Sequence, residues 1–342
     1  TARFTFTVET AGLYALRFTY CYPDTTHTVN AAVSMELNGE YPFGETGSTA
    51  LKRFWRDRKS DRLRDSRGND LKATQEQVTE SVSAEVPDVS GRMRSCLFYL
   101  SAGENTLTLR FGEVPFLLEG LTFANDSAPS YAEYLDGREP QALSEPYLTY
   151  IQAEDALLKN DSVLTAARDR TGPATMPSDP VKLRLNVMDG SAFKTAGQKT
   201  VYRFSVPENG FYVIGVRAKQ AVSEGVRVFR RLTVDGELPF AEAGEWGFSY
   251  GTDWKYTLLG GGTPRCVYLT AGDHTLEWEA VTGENGRLVY RLQSLVYILN
   301  RMYRRIVTIT GATPDTLRDY SLDEDIPELL PTFAELADEL HE

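Results

Sequence analysis

The chain has 342 residues and a formal net charge of -12, a length that suggests two domains, each large enough to bury its own core. Its content of 42% hydrophobic and 11% aromatic residues fits a folded globular protein. Excess acidic residues argue against nucleic acid as the main partner, since phosphate binding needs excess Lys and Arg. No stretch approaches the roughly 18 apolar residues of a membrane helix, so no membrane-spanning segment is predicted.

The chain opens on a predicted strand in which Phe4, Phe6 and Val8 alternate with polar residues, as a strand with one buried face requires. Asn38-Gly39 then predicts a two-residue hairpin turn. Because the sequence starts at Thr1 inside a strand-like run, we expect it to be a piece of a longer protein, and its first domain to lack its first strands.

Three sequence blocks of the first half recur in the second half in the same order. The matched blocks are 6–14 with 204–212, 35–43 with 232–240 and 99–107 with 268–276. Short alternating runs separated by turns predict an antiparallel β-sandwich of jelly-roll type in each copy. We therefore expect a mainly β protein with copy 1 at 1–127, a linker at 128–147, copy 2 at 148–285 and a helical extension at 286–342.

Copy 1 also contains a charged insertion at about 56–94 that has no counterpart in copy 2. The basic stretch 52–67, which overlaps the start of this insertion, holds eight basic and three acidic residues. We expect a solvated loop, because exposed charge is readily hydrated; the alternative is a basic face for anionic cell-wall polymers or acidic sugars.

The extension begins with a predicted amphipathic helix over 288–309, which Gly311 and Pro314 end. A second helical stretch over 323–340 is acidic. The segment 315–342 holds ten acidic residues and one basic residue, so most of the net negative charge belongs to this last segment of the chain. The absence of a nucleic-acid-binding motif therefore becomes the stronger reason to expect no nucleic acid partner.

Copy 2 resembles the calcium-containing β-sandwich type of carbohydrate-binding module. The residues that carry this resemblance are Gln152-Ala153-Glu154-Asp155-Ala156, Val206-Pro207-Glu208-Asn209-Gly210-Phe211-Tyr212, Leu232-Thr233-Val234-Asp235-Gly236 and Leu269-Thr270-Ala271-Gly272-Asp273-His274-Thr275-Leu276.

The whole chain also resembles the region ahead of the solute-binding domain in large extracellular solute-binding proteins of bacterial ABC importers. This likeness is carried by Arg67-Gly68-Asn69-Asp70-Leu71, Asp169-Arg170, Asp179-Pro180-Val181-Lys182-Leu183-Arg184-Leu185-Asn186, Arg230-Arg231-Leu232, Gly236-Glu237-Leu238-Pro239-Phe240 and Thr310-Gly311-Ala312-Thr313-Pro314-Asp315. It implies a cell-surface location, anchoring through parts outside this sequence, and a downstream solute-binding domain as partner.

From these likenesses we expect a non-catalytic extracellular accessory region of a solute-binding lipoprotein that binds an oligosaccharide or polysaccharide. The alternative is a structural spacer or protein-interaction module that positions the solute-binding domain. A glycan-active enzyme is the least favoured reading. The sequence leaves the ligand, the oligomeric state and the transported solute open.

Aromatic side chains are the candidate glycan-binding residues, because sugar C–H groups stack on ring faces. Copy 2 has four of them close together, and copy 1 has a pair that the sequence places at a matching position; they are Trp246, Phe248, Tyr250, Trp254, Phe54 and Trp55. The alternative is that Trp254 and Trp55 fill matching cores.

Glu154 is the candidate metal ligand, because in the resembled modules the acids of this motif help to hold a structural calcium ion. Gln152 stands where a first Glu is common, and a capping or turn role for Glu154 and Asp155 is the alternative. No cofactor is expected to be required.

No catalytic residue is predicted. The segment 247–251 matches the Gly-x-Ser-x-Gly nucleophile pattern, but a strand-like run follows it where that motif needs a helix. The three Cys and three His have no spacing suited to zinc, and we expect reduced thiols.

Overall fold

The computed structural model describes residues 1–58, 64–88, 95–125, 127–141, 143–172 and 175–341. It is mainly β, with antiparallel sheets followed by helices, which confirms the predicted fold class. Two compact units are present, unit 1 at Thr1–Gly283 and unit 2 at Glu284–Glu342.

The described part of copy 1 forms ten short strands, because its sequence alternates apolar and polar residues between turns. They are β1 Ala2–Val8, β2 Gly12–Cys21, β3 Ala31–Leu37, β4 Thr49–Leu51, β5 Trp55–Asp57, β6 Gln75–Gln77, β7 Val82–Glu85, β8 Leu97–Leu100, β9 Gly103–Phe111 and β10 Leu117–Ala124. One sheet has the order β1-β9-β3-β4, and the other has the order β10-β2-β7, with β8 also pairing with β2. The apolar faces of both sheets form one core.

A short helix, α1 at Tyr131–Leu135, lies in the linker, and copy 2 follows. Its strands are β11 Leu158–Lys159, β12 Ala166–Ala167, β13 Val187–Met188, β14 Lys199–Val206, β15 Gly210–Val213, β16 Gly215–Gln220, β17 Val228–Val234, β18 Trp246–Phe248, β19 Gly251–Leu258, β20 Cys266–Leu269 and β21 Gly272–Val281. A sheet runs β18-β17-β21-β14-β11, while β15 pairs with β20 and β16 with β19.

The strand pairings relate the two copies element by element. In copy 1, β1 pairs with β9, and in copy 2, β14 pairs with β21 in the same way. In copy 1, the long strand β2 pairs with both β8 and β7. Its counterparts in copy 2 are β15, which pairs with β20, and β16, which pairs with β19. The predicted turns are also equivalent: Asn38 and Gly39 have φ of 51° and 88°, and Asp235 and Gly236 have 52° and 80°. Positive φ at both central positions matches the hairpin turn expected of these residue pairs.

The predicted solvated insertion is wrong in two places. Val82 lies in β7, and together with Val78 and Val86 it is buried in the core of copy 1. Strands β5 and β6 belong to copy 1 in the sequence, but they extend the main sheet of copy 2. Trp55 of β5 pairs with Lys159 of β11 at this junction. Residues 59–63 and 89–94 of the insertion lie outside the described ranges.

Basic side chains of the stretch 52–67 contact other residues of the protein. This corrects the alternative of a free basic face. The Arg53 side chain is buried against Tyr22, with its guanidinium carbon 3.8 Å from the ring centroid. Arg56 donates to Glu76 and Glu80 at 2.7 Å each. The Arg53 and Arg56 side chains are therefore engaged inside unit 1.

Motif residues from the two copies meet at a polar contact. Arg184 donates to Asp70 at 2.9 Å and to Asp179 at 3.0 Å, and the Leu183 N–H donates to Asn69 at 2.9 Å. Asp70 and Asn69 come from the insertion of copy 1, so residues that carry the solute-binding-protein likeness hold the copies together.

Unit 2 contains three helices: α2 Glu284–Thr310, α3 Leu322–Asp325 and α4 Leu329–His341. Helix α2 starts two residues earlier than the predicted extension. Met302, Ile326 and Leu329 form the small core of this unit. None of the helices in the described ranges is both long and apolar enough to span a membrane.

Candidate functional site

The candidate site is the solvent-facing side of the β16–β19 pair, which we call the aromatic face and define as Gly215, Arg217, Lys219, Trp254 and Tyr256. These side chains share a side because strand residues alternate, and the intervening Val216 and Ala218 pack on the core of copy 2. The register places Arg217 opposite Tyr256.

Tyr256 is 62% exposed, and its ring lies across the backbone of the neighbouring strand. A Cβ atom built on Gly215 would lie 2.1 Å from Tyr256 Oη and 2.4 Å from Tyr256 Cζ. Only glycine leaves room for this close approach, since any side chain would collide with the ring. The hydroxyl end of the ring therefore lies directly over Gly215, while most of the side chain stays exposed to solvent.

Trp254 lies two residues before Tyr256 on the same strand and is half-buried. Lys219 Nζ lies 5.2 Å from the Trp254 ring centroid and forms an ion pair with Asp169. Burial would raise the pKa of Asp169, but hydrogen bonds from Lys219 and Thr171 outweigh it and lower the pKa to about 2. Asp169 is therefore ionised and fixes Lys219 beside the indole ring.

Three of the predicted glycan-binding residues are wrong. Trp246 and Phe248 are buried in the core of copy 2, where both pack on Trp278, and Phe54 is buried in the core of copy 1. A sugar cannot stack on a ring that the core encloses. Trp246 and Phe248 lie in β18, a strand of three residues, and so short a run has too little periodicity to show which side is buried.

The predicted match between Trp55 and Trp254 is also wrong. Trp254 lies in β19, whose counterpart is β7, whereas Trp55 lies in β5 and pairs with Gln77. Trp55 and Tyr250 are half-buried, and neither belongs to the aromatic face. Of the six predicted residues, this face contains Trp254.

Sequence reasoning missed Tyr256, Arg217 and Gly215. The available signal was the pattern Trp254-x-Tyr256 in an alternating strand, since residues two apart share a side. The pairing that brings Gly215 beneath Tyr256 is long-range in sequence, and only the tertiary structure shows it.

Copy 1 carries no aromatic residue at the equivalent positions. Thr19 lies opposite Ser83 where copy 2 has Arg217 opposite Tyr256, and Arg17 forms an ion pair with Glu85 at 2.9 Å. The aromatic face is therefore a feature of copy 2.

Glu154 is buried close to Tyr202. The pKa of Tyr202 is raised to about 12, mainly by burial, and the nearby Glu154 carboxylate raises it further to a smaller extent. Within the described ranges, no three His, Cys, Asp or Glu side chains lie close enough together to hold a metal ion. The calcium site at Glu154 stays a prediction that a fall in Tm on adding EDTA would support.

A second titratable cluster joins the Asp235 turn of copy 2 to β21. His274 Nδ1 lies 2.6 Å from Asp235 Oδ2, and His274 Nε2 lies 2.7 Å from the Thr270 carbonyl oxygen. Copy 1 has the neutral pair Asn38 and Asn105 at these positions, joined at 3.1 Å. His274 is therefore engaged in a structural contact.

Comparison with known proteins identifies little. No protein-family model and no curated protein matches the chain. A solved structure, the cycloisomaltooligosaccharide glucanotransferase of Paenibacillus sp. in complex with cycloisomaltoheptaose, is similar to part of it at 24% identity and a TM-score of 0.29. The likeness covers 38% of this chain and 16% of the glucanotransferase chain.

Proposed function

We propose that copy 2 binds glycan chains on the aromatic face. The observation that carries this proposal is the exposed Tyr256 ring, which lies over Gly215 on the same side of the sheet as Trp254. A pyranose ring presents C–H groups that pack on such a surface, and large aromatic rings contribute contact area at low cost in side-chain entropy. Arg217 and Lys219 supply N–H donors for sugar hydroxyl or carboxylate groups.

Replacing Tyr256 with alanine is expected to weaken glycan binding about tenfold, which corresponds to about 1.4 kcal/mol, because a stacking surface is lost. Glycan-array screening would identify the ligand, and titration calorimetry would measure its Kd. The matched control is Tyr99→Ala, because Tyr99 is 61% exposed and belongs to copy 1. Equal affinity for both variants would contradict a site at the aromatic face.

Replacing Gly215 with alanine is expected to reduce glycan binding while leaving Tm nearly unchanged. The new Cβ would meet the end of the Tyr256 side chain, which can swing away from the sheet, and alanine is intrinsically better than glycine in a strand interior. The double variant Gly215→Ala with Tyr256→Ala should bind no more weakly than Tyr256→Ala alone. An additional loss in the double variant would mean that Gly215 acts independently of the ring.

We further propose that this glycan-binding region is a non-catalytic, extracellular accessory part of a solute-binding protein. The support is the sequence likeness of motifs such as 67–71 and 179–186. Surface proteolysis of intact cells that produce the full-length protein tests the location. Protection of the region until the cells are lysed would contradict it.

The second candidate function is a rigid spacer. One continuous sheet runs from copy 2 through β11 into β5 and β6 of copy 1, and this favours a fixed geometry between the copies. If the spacer role is the only function, the glycan screen should return no ligand, whereas disruption of the β5–β11 junction should change the solution shape of unit 1.

A further inference from the structure

The linker helix α1 covers an aromatic ring and an edge strand of copy 2. The Tyr131 and Tyr134 rings pack against Phe240, with centroid distances of 4.9 Å and 5.3 Å. Their hydroxyl oxygens accept hydrogen bonds from the outer edge of β20, from the Cys266 N–H at 3.0 Å and the Tyr268 N–H at 2.8 Å. Two tyrosines of one helical turn thus bind this edge.

Two further hydrogen bonds hold the start of α1 in place. The Glu242 carboxylate accepts from the Tyr131 N–H at 3.0 Å, and the Ala241 N–H donates to the Pro129 carbonyl oxygen at 2.8 Å. Ala241 and Glu242 lie in the short turn that follows Phe240. The site for α1 therefore consists of one ring, two polar groups of this turn and two N–H groups of β20.

Copy 1 has corresponding groups at equivalent positions, and we call them the copy 1 docking site: Phe43, Gly44, Glu45, Leu97 and Tyr99. Phe43 begins a turn like the one after Phe240, since both residues have extended backbone, with φ of -161° and -158°. β8 pairs with β2 in the register in which β20 pairs with β15. The Leu97 and Tyr99 N–H groups therefore point away from β2, because N–H groups alternate between the two sides of a strand.

The copy 1 docking site is open. Among the described strands, none pairs with the outer side of β8, and no described residue donates to the Glu45 carboxylate. Phe43 is half-buried, whereas Phe240 is fully buried under the two tyrosines. Copy 1 thus keeps the groups that bind α1 in copy 2 without the segment that covers them.

The neighbouring surface shows the same difference. In copy 2, the Arg138 guanidinium carbon lies 5.8 Å and 6.0 Å from the ring centroids of Phe211 and Tyr268. Their counterparts in copy 1 are Leu13 and Tyr99, which lie opposite each other and are 54% and 61% exposed. Large apolar side chains exposed together mark an interaction surface.

We propose that the copy 1 docking site binds a helical turn of a partner polypeptide, as copy 2 binds α1. The partner turn would carry two tyrosines three residues apart, because residues at this spacing share one side of a helix. Their rings would pack on Phe43, and their hydroxyl oxygens would accept from the Leu97 and Tyr99 N–H groups. This inference does not depend on glycan binding.

The contacts of α1 favour a partner over a second copy of this chain. Both tyrosines of α1 are already held by copy 2 of the same chain, so a second copy could offer them only by giving up these contacts. Charge adds a requirement for the partner. Glu242 also pairs with Arg265 at 3.3 Å, whereas Cys96 stands at the position of Arg265 in copy 1. A basic residue of the partner would supply this charge to Glu45.

Amide hydrogen exchange of the whole chain tests the proposal, with a synthetic peptide of residues 127–138 as the probe. In the chain alone, we expect the Tyr99 amide to be about tenfold less protected than the Tyr268 amide, because the latter donates to Tyr134. Millimolar peptide should raise the protection of Leu97 and Tyr99 and leave that of Tyr268 unchanged.

Matched variants identify the groups that bind the peptide. A peptide with Tyr131→Phe and Tyr134→Phe keeps both rings but loses the hydroxyl acceptors, and we expect it to bind about tenfold more weakly. The Glu45→Gln protein should bind the original peptide about fivefold more weakly, because an amide oxygen is a poorer acceptor than a carboxylate. The control is Glu40→Gln, which changes an exposed acid of the preceding turn and should bind like the parent.

Three results would overturn the proposal. Equal protection of Tyr99 and Tyr268 in the chain alone would show that the edge of β8 is already covered. Unchanged protection of Tyr99 in millimolar peptide would show that the site does not accept such a turn. Protection of Tyr99 that rises with protein concentration in the absence of peptide would identify a second copy as the occupant.

Discussion

The Asp57→Ala variant is expected to lose about 3 kcal/mol of unfolding free energy, the usual cost of removing one partner of a buried ion pair. The partner is Lys159, which is 1% exposed and donates to the Asp57 carboxylate. Gln75 donates to the same carboxylate at 2.5 Å. Without Asp57, the buried ammonium group would have no opposite charge, and β11 would separate from β5.

Urea unfolding of the chain, followed by tryptophan fluorescence, measures this loss. The control is the double variant Asp57→Leu with Lys159→Met, which replaces the ion pair with apolar side chains of similar size. Such replacements of buried pairs are often neutral, so we expect the double variant to recover most of the stability. Equal losses in the single and double variants would show that the effect does not arise from an unpaired charge.

The second prediction is that copy 2 loses stability when His274 loses its proton. Both His274 nitrogens face oxygen acceptors, and a ring that donates at both positions is the imidazolium form. The hydrogen bonds with the Thr270 carbonyl and the Asp235 carboxylate therefore raise the pKa of His274. Each pH unit by which this pKa is raised corresponds to about 1.4 kcal/mol.

The direction of the pH effect follows from the folded and unfolded pKa values. The pKa of His274 is higher in the folded protein than its unfolded value of 6.5. The stability that protonated His274 contributes is therefore fully present below pH 6.5, and it disappears as the pH rises through the pKa of the folded protein. Burial would raise the pKa of Asp235, but the hydrogen bond with His274 outweighs it and lowers this pKa. The contribution of Asp235 is therefore lost in acid, and the contact is strongest at mildly acidic pH.

Copy 1 supplies the control for this prediction. The double variant Asp235→Asn with His274→Asn reproduces the neutral Asn38 and Asn105 pair at the same positions. The difference in unfolding free energy between this variant and the parent should change by about 1 kcal/mol between pH 6 and pH 9. The other ionisable groups are common to both proteins, so a difference that stays constant with pH would contradict a charged His274.

Sequence patterns predicted much of the local structure. The hairpin turns at Asn38 and Asp235 follow from residue pairs that tolerate positive φ, and helix α2 follows from its apolar spacing. The repeated blocks aligned β1 with β14 and β9 with β21, because turns and alternation are encoded over a few residues. No sequence pattern in the charged insertion indicates that Asp57 pairs with Lys159 of the other copy.

The candidate site could be predicted only in part, because local alternation does not show which strands surround an aromatic ring. Trp254 was found from its residue type, but Trp246 and Phe248 have the same chemistry and are enclosed by the core. Whether a ring is a surface or a core residue depends on which strands pair around it.

The sequence by itself determined that this protein is two copies of an antiparallel β fold followed by helices, because alternation, turn residues and repeats are local properties of the chain. The tertiary structure alone decided that Tyr256 lies over Gly215. It also decided that β5 joins the sheet of the other copy. These features depend on contacts between residues far apart in sequence, which no local pattern specifies.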